Sequence, residues 1–475
     1  MTQLMFKHGL AVTVLALALS ACQVGHDFKA PASTAQVEWL PTLGDQAPSR
    51  PQATPINERW WEVFNDPMMS SLIDRATAAN LDLKIASTRL EQSRSARQVV
   101  AGDQSPSVDA GMSYKRARNS AEGLNDPSGL EGKSAFNLWT GGFDAFWEVD
   151  LWGRVKREVE AADATVEVAE NDRRGALLSL QTEAARDYLQ LRGVQDTLAV
   201  TRENLDVSRN SLQLSKVRQA SGVATHLDVA EAWAQVATVE ARLPLLEQRQ
   251  AQLINALSVL LAQTPRTLFA ELAKPIERAP LPAAIPVGLP SELAQRRPDI
   301  RQAQARMHVA AASVGVAEGD FYPRIVLSGN VGLQSMQLSD FGSWGARQFG
   351  IGPQLSLPIF EGGRLRGMLH LREAQEQEAA LNYQRTVLRA WQEIDDSMTL
   401  YNASQLQQHK LGEAVEQNRI ALQTARQQYK EGVVDFINVL SVQRALLASQ
   451  EQRVDSATAQ TLALVGLYRS LGGGW

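Results

Sequence analysis

The chain has 475 residues, of which 44% are apolar and 21% are charged, and its formal net charge is −5 at pH 7. This small, mixed charge excludes the strongly basic face of a typical nucleic-acid-binding protein, so we expect no nucleic-acid partner. Mean hydropathy is −0.22. The sequence has no uninterrupted apolar run of about 18 residues or more, which excludes a bundle of transmembrane helices.

Residues 1–21 have the pattern of an export signal peptide, because a short basic start is followed by an apolar run and then by small residues. The apolar run, residues 10–19, is too short to span a bilayer. Cys22 is the only cysteine in the chain, and its context resembles a bacterial lipobox, which implies a diacylglycerol and an N-acyl chain on Cys22. Gln23 stands where an aspartate tends to retain lipoproteins at the inner membrane, so the resemblance implies the outer membrane. The alternative is ordinary cleavage near Ala21, with Cys22 incidental.

Residues 22–58 hold five prolines and many alanines and glutamines. This composition predicts an extended, lipidated leader rather than part of a hydrophobic core. The body of the protein is expected to begin at the Trp60-Trp61 pair. Apart from the lipid, we expect no cofactor.

Four segments of about ten residues alternate apolar and polar side chains. A period of two residues is typical of a β-strand with one apolar and one polar face, as in strands that line a membrane channel. The predicted strands are Pro106–Tyr114, Phe143–Leu151, Pro323–Gln334 and Gln348–Phe360.

A long stretch without proline follows each pair of predicted strands. Apolar residues recur there at steps of three and four, which is the coiled-coil repeat. The first stretch covers Arg154 to Arg218, and the second is clearest from Val387 to Tyr429. At about 1.5 Å per residue, a helix of roughly 65 residues is about 100 Å long.

Each long helix is predicted to end at a glycine and to be followed by a returning helix. Gly222 precedes an amphipathic segment at residues 226–262, and Gly432 precedes one at residues 436–470. The sequence therefore predicts two antiparallel helical hairpins with tight tips.

The two halves of the chain repeat one another. Gly432 follows Gly222 by 210 residues, and the same offset relates Leu357–Arg364 to Trp147–Arg154. A constant offset through a long helix indicates an internal duplication. We therefore divide the body into a first repeat at residues 59–270, a linker at 271–290 and a second repeat at 291–475.

Four amphipathic strands cannot close a barrel by themselves. In a bilayer, open edges leave unpaired backbone groups that cost several kcal/mol each, and the smallest single-chain barrels have about eight strands. Other copies of the chain must complete the sheet. This argument reaches a cyclic oligomer of at least two copies, with the polar strand face lining a lumen.

Several short blocks resemble the TolC-like outer-membrane factor family, in particular its NodT-type efflux lipoprotein branch, the OprM-like proteins. The Arg-Arg-Pro-Asp-Ile block and the C-terminal Leu-Gly-Gly-Gly-Trp block are the most specific. The blocks that carry the resemblance are Trp60-Trp61 with Phe64, Asp66-Pro67, Asn80–Leu83, Leu151–Arg154, Arg296–Ile300, Phe321–Pro323, Gly362–Arg364 and Leu467–Trp475.

The resemblance implies an α+β membrane channel. Its duplicated strand-hairpin and long-helix unit would form, in a homotrimer, a 12-strand transmembrane β-barrel continued by a periplasmic α-helical barrel. It also implies the function of a passive exit duct for drugs or other small molecules. The implied partners are outer-membrane lipid, a periplasmic adaptor (membrane fusion) protein and an inner-membrane pump of the resistance-nodulation-division type. We expect no enzymatic activity, no catalytic residues and no metal site.

In this family, polar and acidic residues just after the tip glycines hold the channel closed at its periplasmic end. The resemblance carries the first acidic position onto Asp228, within the tip sequence that begins at Thr225. The second-copy acidic positions fall on Asn438 and Ser441, which have lost the carboxylate. The resemblance also places a gate tyrosine at Tyr429. In the second copy, Asp435 is the candidate for a ring of negative charge.

Plainer roles for the same residues remain open. Thr225 and Asp228 fit a capping box, and Asp435 fits an N-cap. Tyr429 fits seam packing between helices. Alternative functions also remain, namely a duct for protein or peptide secretion, a structural periplasmic coiled-coil lipoprotein, and a periplasmic adaptor, although an adaptor would carry one hairpin and no duplicated strands.

Overall fold

The structure, a computed structural model, describes residues 24–31, 50–52, 54, 56–122, 128–276, 281, 284–287 and 296–474. The predicted signal peptide, Cys22 and most of the predicted leader lie outside these residues. The chain divides into two compact units. The sheet unit comprises Met1–Pro31, Leu90–Ala169 and Gln302–Tyr383, and the helical unit comprises Ala32–Arg89, Glu170–Arg301 and Gln384–Trp475.

The order of the elements follows the predicted duplication. The principal elements are α1 (Pro67–Ala79), α2 (Leu81–Gly102), β1 (Ser107–Ala117), β2 (Phe136–Glu148), α3 (Arg154–Ala220), α4 (His226–Glu240), α5 (Leu243–Leu260), α6 (Pro298–Gly319), β3 (Arg324–Ser335), β4 (Arg347–Ser356), α7 (Arg364–Glu431) and α8 (Phe436–Ser470). Short elements accompany them: the helical turns Trp60–Phe64, Phe269–Leu272, Leu338–Asp340 and Trp344–Ala346, and a parallel pair of three-residue strands, Arg50–Gln52 with Ala284–Pro286.

The two long helices contain 67 residues in α3 and 68 residues in α7, as the periodicity predicts. Their long unbroken course fits the absence of proline from both segments, because a proline inside a helix removes one hydrogen bond and clashes with the preceding turn. None of the helices in the described part of the chain is both long and apolar enough to cross a membrane.

The first returning helix is broken, and the prediction of one continuous helix at residues 226–262 is wrong. Helix α4 ends at Glu240, and α5 starts at Leu243 with Pro244 in its first turn. Pro244 has no N–H to donate, and its ring would clash with the carbonyl group of Glu240 in an unbroken helix. The second copy has Val454 at the equivalent position, and α8 continues for 35 residues.

The four longer strands form one antiparallel sheet in the order β1-β2-β3-β4. The cross-strand pairs keep apolar positions on one face: Val108 pairs with Ala145, Phe143 with Val331, and Val331 with Phe349. The opposite face carries mostly polar or small residues, including the pair of Asp109 with Asp144, although Phe146 and Val326 also lie on it. The predicted alternation is therefore confirmed, and β1 and β4 form the two outer edges of this sheet.

Two strand boundaries differ most from the prediction. Strand β2 begins at Phe136, seven residues before the predicted start, because the Gly141-Gly142 pair interrupts the apolar alternation without ending the strand. Strand β4 ends at Ser356 rather than at Phe360. Pro358 follows two residues later and cannot donate a hydrogen bond to a neighbouring strand.

The helical unit has its own core, in which the Trp60-Trp61 pair and the C-terminal block meet. The rings of Trp60 and Tyr468 stack with centroids 5.4 Å apart. Arg297, from the Arg-Arg-Pro-Asp-Ile block, is buried and donates to the carbonyl oxygen of Ser470 at 2.7 Å and to Glu393 at 2.7 Å. The Arg-Arg-Pro-Asp-Ile block and the C-terminal block, which are far apart in sequence, are therefore in direct contact in this core.

Candidate functional site at the helical hairpin tips

Both hairpin tips, which lie in the helical unit, end their long helices in the same way. Gly222 has φ +73° and Gly432 has φ +78°. The N–H of the residue after each glycine donates to a carbonyl five residues earlier at 2.9 Å, from Val223 to Arg218 and from Val433 to Gln428. This is the Schellman ending, which needs a left-handed residue that glycine adopts without strain. The predicted tight tips are confirmed in both copies.

After the first tip, Thr225 and Asp228 form the capping box that the sequence allows. The Thr225 N–H donates to Asp228 Oδ2 at 2.8 Å, and the Asp228 N–H donates to Thr225 Oγ1 at 3.2 Å. The two side chains satisfy two amides that the helix leaves unpaired. The Asp228 carboxylate therefore has a structural role at the start of α4, and it stays half-exposed.

The second tip lacks this arrangement. Asp435 occupies the N-cap position of α8, but its side chain makes no capping hydrogen bond, so the interpretation of Asp435 as a capping side chain is wrong. The Asn438 N–H bonds instead to the main-chain carbonyl of Asp435 at 3.1 Å. Asp435, Asn438 and Ser441 are all exposed. At a spacing of three residues they lie on neighbouring parts of one helix surface.

Tyr429 lies inside the apolar cluster behind the tips and is only 4% exposed. Its ring is 5.5 Å from that of Phe436, between centroids. Burial raises the pKa of the Tyr429 hydroxyl, and the negative charge of Asp228 raises it further, while Arg218 opposes both effects. Within a single chain, Tyr429 therefore packs in the helix seam, and Asp228 acts on it through charge.

Arg218 is a tip residue that the sequence did not single out. Its guanidinium lies over the Tyr429 ring at 4.5 Å from the centroid, and its Nη1 donates to the carbonyl of Lys430 at 3.3 Å. Arg218 thus joins the end of α3 to the end of α7. The sequence signal that could have identified Arg218 is its position as a basic residue in the last turn before the tip glycine. The negative C-terminal end of the helix dipole favours a positive charge there.

Behind the tips the helices meet through buried polar side chains. Gln443 of α8 accepts from Ser211 Oγ at 3.1 Å and donates to Ser208 Oγ at 2.8 Å. Further along the seam, Asn204 donates to Gln450 at 2.9 Å. These side chains satisfy one another in a buried seam, which specifies helix register while adding less net stability than apolar packing.

Apolar side chains at the outermost part of both tips remain exposed. Val223 and Val433 are 63% and 68% exposed, and Leu227 and Ile437 are 65% and 48% exposed. The two pairs are equivalent in the duplication. Exposed apolar groups that recur at equivalent positions are typical of a contact surface for another protein.

Comparisons with known proteins agree with this architecture. The model of the outer membrane efflux protein family matches the chain at residues 72–263 and again at 289–473. The toluene efflux pump outer membrane protein TtgC of Pseudomonas putida is 30% identical over 473 residues, which are 99% of this chain and 96% of TtgC. The pyoverdine export outer membrane protein OpmQ of Pseudomonas putida is 32% identical over 445 residues, which are 92% of each chain.

Among solved structures, the outer-membrane channel OprN has a TM-score of 0.88 and 33% identity, and the match covers 96% of this chain and 100% of OprN. The predicted α+β channel fold with a duplicated strand and helix unit is confirmed. The double match of the family model and the near full-length similarity show that the chain belongs to the outer membrane efflux protein family.

Proposed function

We propose that three copies of this chain form the passive outer-membrane duct of a tripartite efflux system. Drugs or other small molecules would enter the duct from an inner-membrane pump of the resistance-nodulation-division type through a periplasmic adaptor protein. The observation that carries the proposal is the four-stranded sheet, which has one apolar face, one polar face and two outer edge strands.

The sheet supports closure between copies. Neighbouring strands run in opposite directions, so β4 of one chain can pair antiparallel with β1 of the next without breaking the alternation. Three copies would then give a closed ring of 12 strands. The exposed apolar side chains Val108, Phe349 and Ile351, between 64% and 85% exposed in the single chain, would face lipid, and the polar face would line the lumen.

The lumen face favours a duct of broad selectivity. It carries serine, asparagine and glutamine side chains together with glycines, and the Asp109 and Asp144 pair lies among them. The names of the relatives above specify toluene efflux in one case and pyoverdine export in another. We therefore assign the choice of cargo to the pump rather than to this chain.

Lipidation of Cys22 completes the proposed attachment to the membrane. Cys22 lies outside the described residues, and the support is the sequence alone: a short signal, small residues and one cysteine. A chain that carries three acyl groups would be held firmly, since each buried CH₂ contributes about 0.8 kcal/mol. Mass spectrometry of the purified N-terminal peptide tests this assignment.

We also propose that the hairpin tips gate the duct. Asp228 and Asp435 would supply two rings of negative charge, with Asn438 and Ser441 on the same helix surface as Asp435. Tyr429 with Arg218 would hold the tips of each chain together. The apolar residues exposed at the tips suit the contact with the adaptor.

The test is electrical recording from the purified oligomer in planar bilayers. We expect unheated samples to migrate as an oligomer on denaturing gels, heated samples as a monomer, and single channels to conduct. A structural coiled-coil lipoprotein would give no conductance. Growth assays of a gene deletion with several drugs, set beside assays of secreted proteins, separate small-molecule efflux from protein or peptide secretion.

The gate requires its own comparison. The double variant Asp228→Ala and Asp435→Ala should raise the conductance of the isolated channel and weaken its preference for cations, because both proposed rings are removed. Glu416→Ala is the matched control, since Glu416 is an exposed carboxylate on α7, about four helical turns before the tip. If conductance and selectivity are unchanged in the double variant, the gate assignment is wrong.

A further inference from the structure

The segment Val24–Phe28 makes an ordered set of contacts within the sheet unit. The Val24 N–H donates to the carbonyl oxygen of Trp152 at 2.9 Å. Trp152 lies between β2 and α3, and its indole Nε1 donates to the carbonyl oxygen of Pro323, next to the start of β3, at 2.8 Å. The segment therefore begins at the end of the sheet where β2 ends and β3 starts.

Arg157 of α3 forms the centre of this contact and its side chain is only 2% exposed. The guanidinium donates to the carbonyl oxygens of Val24 at 3.3 Å and Gly25 at 3.0 Å, and to Asp27 Oδ1 at 2.9 Å. Its remaining Nη1 donates to Glu160 at 2.6 Å. Burial opposes the charged form, but the bonds to Glu160 and Asp27 leave the pKa of Arg157 raised.

Two further helices hold the same segment. The Phe28 ring stacks on the His308 ring of α6, with centroids 4.6 Å apart and planes 14° apart. His26 contacts Glu376 of α7, with 2.9 Å between Nε2 and Oε1. Because α3 belongs to the first repeat and α6 and α7 belong to the second, the segment ties the two repeats together.

The backbone of the segment approaches α6 so closely that only glycine fits. Gly25 has φ +86°, and a Cβ added there would lie 2.7 Å from Gly315 Cα. A side chain at Gly25 would be strained by both the torsion angle and the contact. A main-chain segment with a buried guanidinium on its carbonyls and glycine facing glycine is a built docking site.

We propose that Val24–Phe28 is a docking strap, and that the site around Arg157 binds it so that the chain's own N-terminus is fixed at the end of the sheet. Consecutive Cα atoms are at most about 3.8 Å apart, so Cys22 can lie no farther than about 8 Å from the Cα of Val24. The acyl chains would then enter the leaflet where the strands end. This consequence for the membrane rests on the proposed function, whereas the docking of the strap does not.

Trypsin cleavage after Lys29 tests the docking in the full chain extracted from outer membranes. Lys29 is exposed, but a protease needs several residues around the bond to leave their site, so the rate reports the open fraction of the strap. We expect slow cleavage in the wild type. Arg157→Gln should accelerate cleavage by about tenfold or more, as expected from losing hydrogen bonds to a charged group.

The matched control is Asp163→Asn on the same helix, α3, which removes the exposed ion pair of Asp163 with Arg97 of α2 (2.7 Å) without touching the strap. If Arg157→Gln fails to fold, Gly25→Val makes the same test from within the strap. Rapid cleavage of the wild type, or equal rates in the wild type and whichever of these variants folds, would overturn the proposal. If the wild type is cleaved slowly but shows no channel conductance, the proposed duct is rejected and the docking of the strap is retained. If the wild type is cleaved rapidly but conducts, the docking of the strap is rejected and the proposed duct is retained.

Discussion

Substituting arginine on opposite faces of β4 tests the membrane orientation of the sheet most directly. Ile351 is the fifth of the ten residues of β4 and is 79% exposed on the apolar face. Gln354 is also exposed, and its position three residues later places it on the opposite face. Both positions are thus exposed in the single chain, and they differ in the face they occupy.

We expect Ile351→Arg to destabilise the inserted oligomer much more than Gln354→Arg. An arginine that faces lipid near the bilayer midplane costs about 2–4 kcal/mol per chain. In three copies the same change costs roughly 6–12 kcal/mol, by direct multiplication of that range. The arginine of Gln354→Arg would point into the water-filled lumen, where it would change ion selectivity with little loss of stability.

The assay is the fraction of each variant recovered from outer membranes as an oligomer that dissociates on heating. Ile351→Arg should reduce this fraction strongly, and Gln354→Arg should leave it near the wild-type value. The two variants should be compared at equal expression of total protein. Equal losses in both variants, or a greater loss in Gln354→Arg, would refute the assignment of the apolar face to lipid.

Three further predictions concern the lumen, the tip and the core. Asp109→Asn with Asp144→Asn should reduce the cation preference of the channel, measured by reversal potentials in a salt gradient, because this cross-strand pair would give six carboxylates in a trimer; Ser113→Asn is the neutral control on the same face. Thr225→Ala should lower the stability of the first tip by about 1 kcal/mol, seen as faster hydrogen exchange at the start of α4, and an unchanged rate would contradict the capping role. Arg297→Ala should lower the free energy of unfolding by about 1.5–3 kcal/mol, since its buried guanidinium donates to a main-chain carbonyl and to carboxylates; denaturant titration measures the change, and the exposed Arg419→Ala should have almost no effect.

The sequence alone determined the repeating elements of this protein. The period-two segments predicted four strands, the three-and-four periodicity predicted the long helices α3 and α7, and the offset between Gly222 and Gly432 predicted the duplication. These features are local, because side-chain alternation, helix propensity and a left-handed glycine act over a few residues. Pro244 shows the limit of reading periodicity alone, since the apolar pattern continues through a position where the helix cannot.

Only the tertiary structure decided which residues meet. The box of Thr225 with Asp228 could be predicted because its partners are three residues apart. The lack of a capping hydrogen bond from the Asp435 side chain could not be predicted, since an aspartate at an N-cap position is compatible both with such a bond and with its absence. The contacts of Arg218 with Tyr429 and of Arg157 with Asp27 join residues more than a hundred positions apart. Such contacts form because the packing of helices and strands brings distant parts of the chain together. A pattern that extends over a few residues cannot predict them.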